Sequence, residues 1–241
     1  MSVPNSAAPL ASEQVFATLL EALLSGRYVP GEKLPRQREL AADLDVTLGT
    51  LREALKRLEQ MGLVEVRHGD ATRVRDWRTS GGLDVLAHLL FRGGALDGRV
   101  LEDVLEARAL MLRELASLAA ERRSEEAAAA LLVLAHDFST QADPAAAARV
   151  DFAFFTAITE AAGNLVFVLI LNAIRDLYLG HVGLVPVTAD PAALASRYTD
   201  LAHAIDRQDP DRARTIAFDL ACRQRDLVRT TLRSLLGQGT A

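Results

Sequence analysis

Residues 34–75 constrain this chain more than any other stretch. The run LPRQRELAADLDVTLGTLREALKRLEQMGLVEVRHGDATRVR holds two helical patterns, a tight turn between them, and two short β-prone runs around a Gly-containing tip. The first helix spans Arg38 to Leu44, with Leu40 and Leu44 at i, i+4 on one face. Asp45-Val46-Thr47 supplies the turn, and the Thr47 hydroxyl is placed to take an orphan N–H at the start of the second helix. There Leu51, Leu55, Leu58 and Met61 form the stripe that buries, whereas Arg52, Lys56 and Glu59 point away from it. Leu63–Val66 and Thr72–Val74 make a hairpin with Arg67-His68-Gly69-Asp70 at its tip. This is the pattern of a winged helix-turn-helix, whose second helix presents its N-terminal residues to the major groove of duplex DNA.

The net charge of −5 conceals a division. Residues 1–75 carry ten Lys/Arg and ten Asp/Glu, so the rest of the chain holds the whole acidic excess. A neutral head grips DNA only if its cations gather on one face, and Arg36, Arg38, Arg52, Arg67 and Arg73 are the candidates. Such a head favours site-selective binding over strong non-specific attraction, because phosphate neutralisation scales with local cations. One cysteine, Cys222, excludes an intrachain disulfide and fits a reducing compartment. The start MSVPNSAAPLASEQ lacks the basic and apolar regions of a signal peptide, and Leu165–Leu171 is too short to span a bilayer. A cytoplasmic protein without membrane contact is expected.

The organisation expected is mainly α: a winged helix-turn-helix over 1–75, a linker over 76–82, and an all-α domain of six to seven helices over 83–241. In the head, Ser12 opens a helix running to about Gly26, with Val15, Leu19, Leu23 and Leu24 inward. The linker contains Trp77 and the pair Gly81-Gly82, which can absorb a rotation. Beyond it no β signal is read. Helices are expected over 101–122, 125–140, 145–162, 165–181, 192–207 and 212–236. Asp143-Pro144, Asp190-Pro191 and Asp209-Pro210 put a cap before a Pro, and Gly163-Asn164 stops one helix and caps the next. The segment 164–171 is apolar on every face, which predicts a central position.

Arg52 is the first candidate for a base contact, through bidentate bonds to guanine O6 and N7. Arg38 suits a phosphate or a base, while Thr47 and Thr50 suit phosphate. His68 and Gly69 at the wing tip suit a groove or backbone approach, or Gly69 is a plain turn residue. In the helical domain, Arg108 lies among Leu101, Leu105 and Leu112. An inward cation there either meets an anionic ligand or pairs with an acid such as Asp151. Leu112, Phe154, Phe155, Ile158, Phe167, Leu171 and Tyr178 either line a cavity suited to an acyl chain or fill a core. His88, His136, His181 and His203 show no ligand spacing, so no metal is expected. No nucleophile–base pair or phosphate loop points to an enzyme.

The chain resembles the GntR family of bacterial transcription regulators. The resemblance rests on Pro30-Gly31, Leu34-Pro35, Arg38-Glu39-Leu40-Ala41, Val46-Thr47, Thr50-Leu51-Arg52-Glu53-Ala54-Leu55, Gly62-Leu63-Val64 and His68-Gly69. The helical part is similar to the FadR subgroup with its FCD-like effector domain. Trp77 with Thr79-Ser80-Gly81, the stretch from Asp151 to Asn164, and Leu169–Asn172 with Leu177-Tyr178 extend the likeness to fatty-acid-responsive members. That resemblance implies a homodimer on a palindromic operator in double-stranded DNA, and DNA contacts from Arg36, Arg38, Thr47, Thr50, Arg52, His68 and Gly69. It also implies a small organic effector, a carboxylate or fatty acyl group such as acyl-CoA, met by Arg108, Asp151, Phe155, Asn172 and Tyr178. The alternatives are a different carboxylate metabolite or a DNA-binding protein without a ligand. Leu48, Gly49 and Asp70 depart from the family's basic residue, Thr and Lys. Many members of the subgroup bind a metal with one Asp and three His. Asp151 matches that Asp, but Phe155, Tyr198 and Leu220 stand where the resemblance puts His.

Overall fold

The computed structural model describes residues 11–67, 71–92, 95–180, 185 and 187–238. The chain divides into two compact units that meet in sequence at Asp97 and Gly98.

In the first unit, α1 (Ala11–Leu24), α2 (Gln37–Asp43) and α3 (Leu48–Gln60) are followed by a hairpin of β1 (Val64–Glu65) and β2 (Arg73–Val74). Val64 faces Val74 and Glu65 faces Arg73 in antiparallel register. The stretch 31–34 lies along the other side of β2, with Leu34 N–H donating to Thr72 O and Val74 N–H to Glu32 O. The core joins Val15, Phe16, Leu19 and Leu23 of α1 to Leu40 of α2, Leu51, Leu55 and Leu58 of α3, and Val64 and Val74 of the hairpin. Each fully buried Leu contributes about 1.5–3 kcal/mol of transfer free energy.

α3 ends where Gly62 turns left-handed at φ +72°. Gly62 N–H donates to Glu59 O and Leu63 N–H to Leu58 O, the paired bonds that close a helix on a glycine. The position is doubly restricted, because a Cβ there would come within 2.1 Å of Ser80 O. Ser80 Oγ lies 2.8 Å from the Gly62 carbonyl and 2.7 Å from that of Asp76, and its one proton serves the two. The expected linker 76–82 is thereby held inside the first unit: α4 (Trp77–Ser80) forms a helical turn capped by Asp76, and Val85 lies in the same core as α1 and α3. The pair Gly81-Gly82 differs accordingly from a free hinge, since Gly81 N–H donates to Trp77 O. A 3-10 turn (Leu83–Val85), α5 (Leu86–Leu90) and a second hairpin, β3 (Phe91–Arg92) with β4 (Ala95–Leu96), complete the unit. This hairpin was not expected. Its sequence signal is the Gly-Gly dipeptide at 93–94 between two short runs.

The second unit contains six helices among the described residues: α6 (Gly98–Arg122), α7 (Glu125–Ser139), α8 (Pro144–Ala161), α9 (Leu165–Gly180), α10 (Pro191–Asp206) and α11 (Pro210–Gln238). The Asp-Pro starts behave as their chemistry dictates. Asp143 accepts from the N–H groups of Ala145 and Ala146, Asp190 from Ala193, and Asp209 from Arg212. The core gathers Leu112, Leu115, Leu131, Phe138, Phe154, Ile158, Leu194, Tyr198, Leu201 and Leu220. α9 does not take the central place expected of it. Only Leu171 of α9 is buried, while Leu165 and Val166 are 71% and 62% exposed. Apolarity on every face does not distinguish a core helix from one that leaves an apolar face bare. No helix among the described residues is long and apolar enough to cross a membrane.

Gly62→Ala is expected to cost the first unit about 1–3 kcal/mol through backbone strain and the clash with Ser80. Gly26→Ala is a control with φ +79° and no atom within 4 Å, so only the strain applies. Urea denaturation should show the larger loss for Gly62→Ala, and equal losses would contradict the clash.

Candidate functional site

The outward face of α3 and the start of α2 form one exposed polar surface. Burial of Leu51, Ala54, Leu55 and Leu58 turns Arg52, Glu53 and Lys56 to solvent. Arg52 Nε donates to Gln37 Oε1 at 3.2 Å, joining the two helices across their polar side. Arg36 and Arg38 are exposed and enter no ion pair among the described residues. At the start of α3, Thr47 Oγ1 accepts from Thr50 N–H at 3.2 Å, and the two hydroxyls lie 2.9 Å apart. One hydroxyl donates to the other, so among the described residues one of the two protons has no acceptor and is available to one outside the protein.

The rest of the helix is fastened down. Arg57 pairs with Glu13 at 2.8 Å and covers the Phe16 ring at 3.9 Å, which ties α3 to α1 and holds the Glu13 carboxyl below the usual range. Glu59 accepts from Val66 N–H at 2.8 Å, which ties α3 to the hairpin. Arg67 pairs with Glu65, and Arg73 reaches the Gly31 carbonyl. Of the cations expected on one face, Arg67 is therefore engaged by Glu65 of the hairpin and Arg73 by the backbone of the stretch beside it. His68 and Gly69 lie outside the described residues.

A second polar constellation lies in the core of the α6–α11 unit. Arg108 donates to both Asp151 oxygens at 3.1 Å and to Gln224 Oε1, and its side chain is only 12% exposed. Tyr178 and Tyr198 each donate a hydroxyl proton to Asp151, and Gln224 Nε2 donates to Asp151 and to the Tyr198 oxygen at 3.0 Å. The Phe155 ring lies 5.3 Å from the guanidinium. Burial alone pushes the Arg108 pKa down, but Asp151 and the two tyrosines outweigh it and raise it. Burial and the Asp151 charge push both tyrosine hydroxyls well above their ordinary value. Arg108 is thereby held as a cation and the two tyrosines as neutral phenols, all bonded to Asp151.

Of the five ligand candidates, Arg108, Asp151, Phe155 and Tyr178 come together, and Arg108 takes the acid-paired alternative. Asn172 does not join them, since it is exposed on α9 and accepts from Arg175 at 2.9 Å. Leu112, Phe154, Phe155, Ile158 and Leu171 belong to the packed core. Tyr198 and Gln224 complete the cluster without having been counted among the ligand residues. Gln224 is the one polar residue on the stripe Ala213, Ala217, Leu220, Ala221, Gln224, Val228, a signal legible in the sequence. A metal does not fit at Asp151: its oxygens are occupied by a guanidinium, two hydroxyls and an amide, and a second cation there meets the charge of Arg108. No group of three His, Cys, Asp or Glu side chains among the described residues could hold a metal ion. An open groove of about 440 Å³ lies elsewhere, between α10 and α11 and lined by Asp219, Cys222, Arg223 and Asp226.

A winged helix-turn-helix head followed by a separate helical unit defines a class of DNA-binding transcription regulators. Residues 11–74 match the family described as "Bacterial regulatory proteins, gntR family", and residues 103–220 match the FCD domain. The HTH-type transcriptional regulator Mce2R of Mycobacterium tuberculosis is 41% identical over 225 residues, 93% of this chain and 92% of that one. A fatty acid metabolism regulator protein of Edwardsiella ictaluri is 34% identical over 66% of each chain. A solved structure reported for Lar, which controls expression of the Listeria monocytogenes agr system, shares the fold with a TM-score of 0.54 and 17% identity over 91% of this chain and 96% of that one. The chain belongs to the GntR family of bacterial regulatory proteins, with an FCD domain as its effector-binding part. It is a transcription regulator and not an enzyme.

Replacing Asp151 by Ala strands a buried guanidinium and is expected to destabilise the second unit by about 3–5 kcal/mol. The double variant Arg108→Met/Asp151→Leu should recover part of that loss in thermal denaturation, because it removes the stranded charge, while Tyr178, Tyr198 and Gln224 still lack their acceptor. A double variant no more stable than the single one would contradict the pairing.

Proposed function

We propose that this chain is a ligand-responsive regulator that binds a palindromic operator as a homodimer in the cytoplasm. The observation that carries the reading is the face of α3, where Arg52 projects from a helix whose opposite side is wholly buried. Arg52 reads a guanine; Arg36, Arg38 and the Thr47–Thr50 pair hold phosphates; His68 and Gly69 approach from the wing. A single head covers a short half-site, so two heads related by two-fold symmetry make a palindrome the natural target. Exposed Leu165, Val166 and Leu169 on α9 support an association that covers them.

The effector in this reading is an organic carboxylate or fatty acyl compound, without a metal. The likeness to regulators named for fatty acid metabolism supports it, as does Arg108, a cation only 12% exposed beside an apolar core. A carboxylate reaching Arg108 takes it from Asp151, which keeps Tyr178, Tyr198 and Gln224 as donors. Ligand binding changes DNA affinity to the extent that it favours one state of the protein over another.

Fluorescence anisotropy on operator duplex tests both halves. Arg52→Ala should weaken specific binding by about 1–3 kcal/mol per half-site with the melting temperature unchanged. A long-chain acyl-CoA should weaken binding by the wild type and raise its melting temperature. Unchanged affinity in Arg52→Ala refutes the reading helix, and no response to acyl-CoA or other long-chain carboxylates refutes the effector.

A further inference from the structure

We infer that Gln37 is a positioning residue for DNA reading, one that aims the Arg52 guanidinium from the first turn of the preceding helix. The inference rests on the reading that Arg52 meets a base. An arginine has five N–H donors, one on Nε and four on the two terminal nitrogens. The 3.2 Å bond to Gln37 Oε1 uses the one on Nε. The terminal nitrogens, whose spacing matches guanine O6 and N7, are left for the groove. Gln37 is itself half-buried at the start of α2, while Arg52 is exposed, so the more buried partner holds the more exposed one.

The chemistry of this partner matters. A carboxylate at position 37 would accept from Nε and from a terminal nitrogen together, withdrawing the fork and cancelling its charge. An amide oxygen is neutral and leaves the cation intact. Among the described residues Arg52 forms no ion pair, although Glu53 is its neighbour in sequence. Ordering the side chain before DNA arrives removes part of the entropy that binding otherwise costs. The benefit falls on specific complexes, because a non-specific complex does not require the fork to be aimed.

The test uses the full chain, an operator duplex selected from random DNA, and the same duplex with the guanine of each half-site replaced. Wild type, Gln37→Ala, Arg52→Ala and the double variant are compared. Gln37→Ala is expected to weaken operator binding about 2- to 10-fold per half-site, the range for freeing one ordered side chain. It should shrink the preference for the guanine-bearing duplex and leave non-specific binding, the salt dependence and the melting temperature unchanged. In the Arg52→Ala background the same substitution should have no further effect. Gln37→Glu, which keeps an acceptor but adds a charge, should weaken binding at least as much as Gln37→Ala. If Arg52→Ala abolishes specific binding while Gln37→Ala is silent, or if the two effects simply multiply, the positioning role is overturned with the base-reading role intact. If Arg52→Ala itself leaves operator binding unchanged, both fall.

Discussion

Leu51, Ala54, Leu55 and Leu58 are all 2% exposed or less, and burying that stripe against α1, α2 and the hairpin determines everything α3 shows to the outside. A helix repeats every 3.6 residues, so once these four positions face inward, Arg52, Glu53 and Lys56 have only solvent to face. The supporting contacts act in the same sense. Thr47 caps the start, Gly62 closes the end, Arg57 pairs with Glu13, and Glu59 holds the hairpin backbone. A reading helix has to be presented rigidly, because a bidentate contact tolerates little error in angle. The head is organised around that requirement.

The second unit solves a different problem. Its core accepts a charged pair, and a lone charge there would cost several kcal/mol. Asp151 carries five donated hydrogen bonds from four side chains on three other helices and α6, so the carboxylate links α6, α8, α9, α10 and α11 at one point. Such a hub resists small rearrangements and favours discrete ones, since removing any donor leaves a buried group short of a partner. That property suits an effector domain, where one binding event has to be felt by several helices.

Much of this was legible in the residues. The Asp-Pro starts, the Thr47 cap, and the Gly163 stop each reflect chemistry within a few positions, which a linear reading captures. The buried stripes of α1 and α3 follow from periodicity. What escaped depended on partners distant in sequence. Gly81-Gly82 has the composition of a hinge, yet Ser80 bonding to the Gly62 carbonyl and Val85 entering the core fasten that segment to the head. The apolar run at 165–171 has no periodicity to say which side it buries. Arg108 and Asp151 stand out in the sequence one by one, whereas Tyr198 and Gln224 join them only through tertiary packing. The Arg52–Gln37 bond is of the same kind.

In the proposed function, α3 reads base sequence from two symmetry-related heads. Selection of duplexes from a random-sequence pool by the purified full chain, followed by sequencing of the bound fraction, tests it most directly. A two-fold symmetric site with a guanine in each half should be enriched. A bound fraction indistinguishable from the input pool would contradict it, as would an enriched site without symmetry.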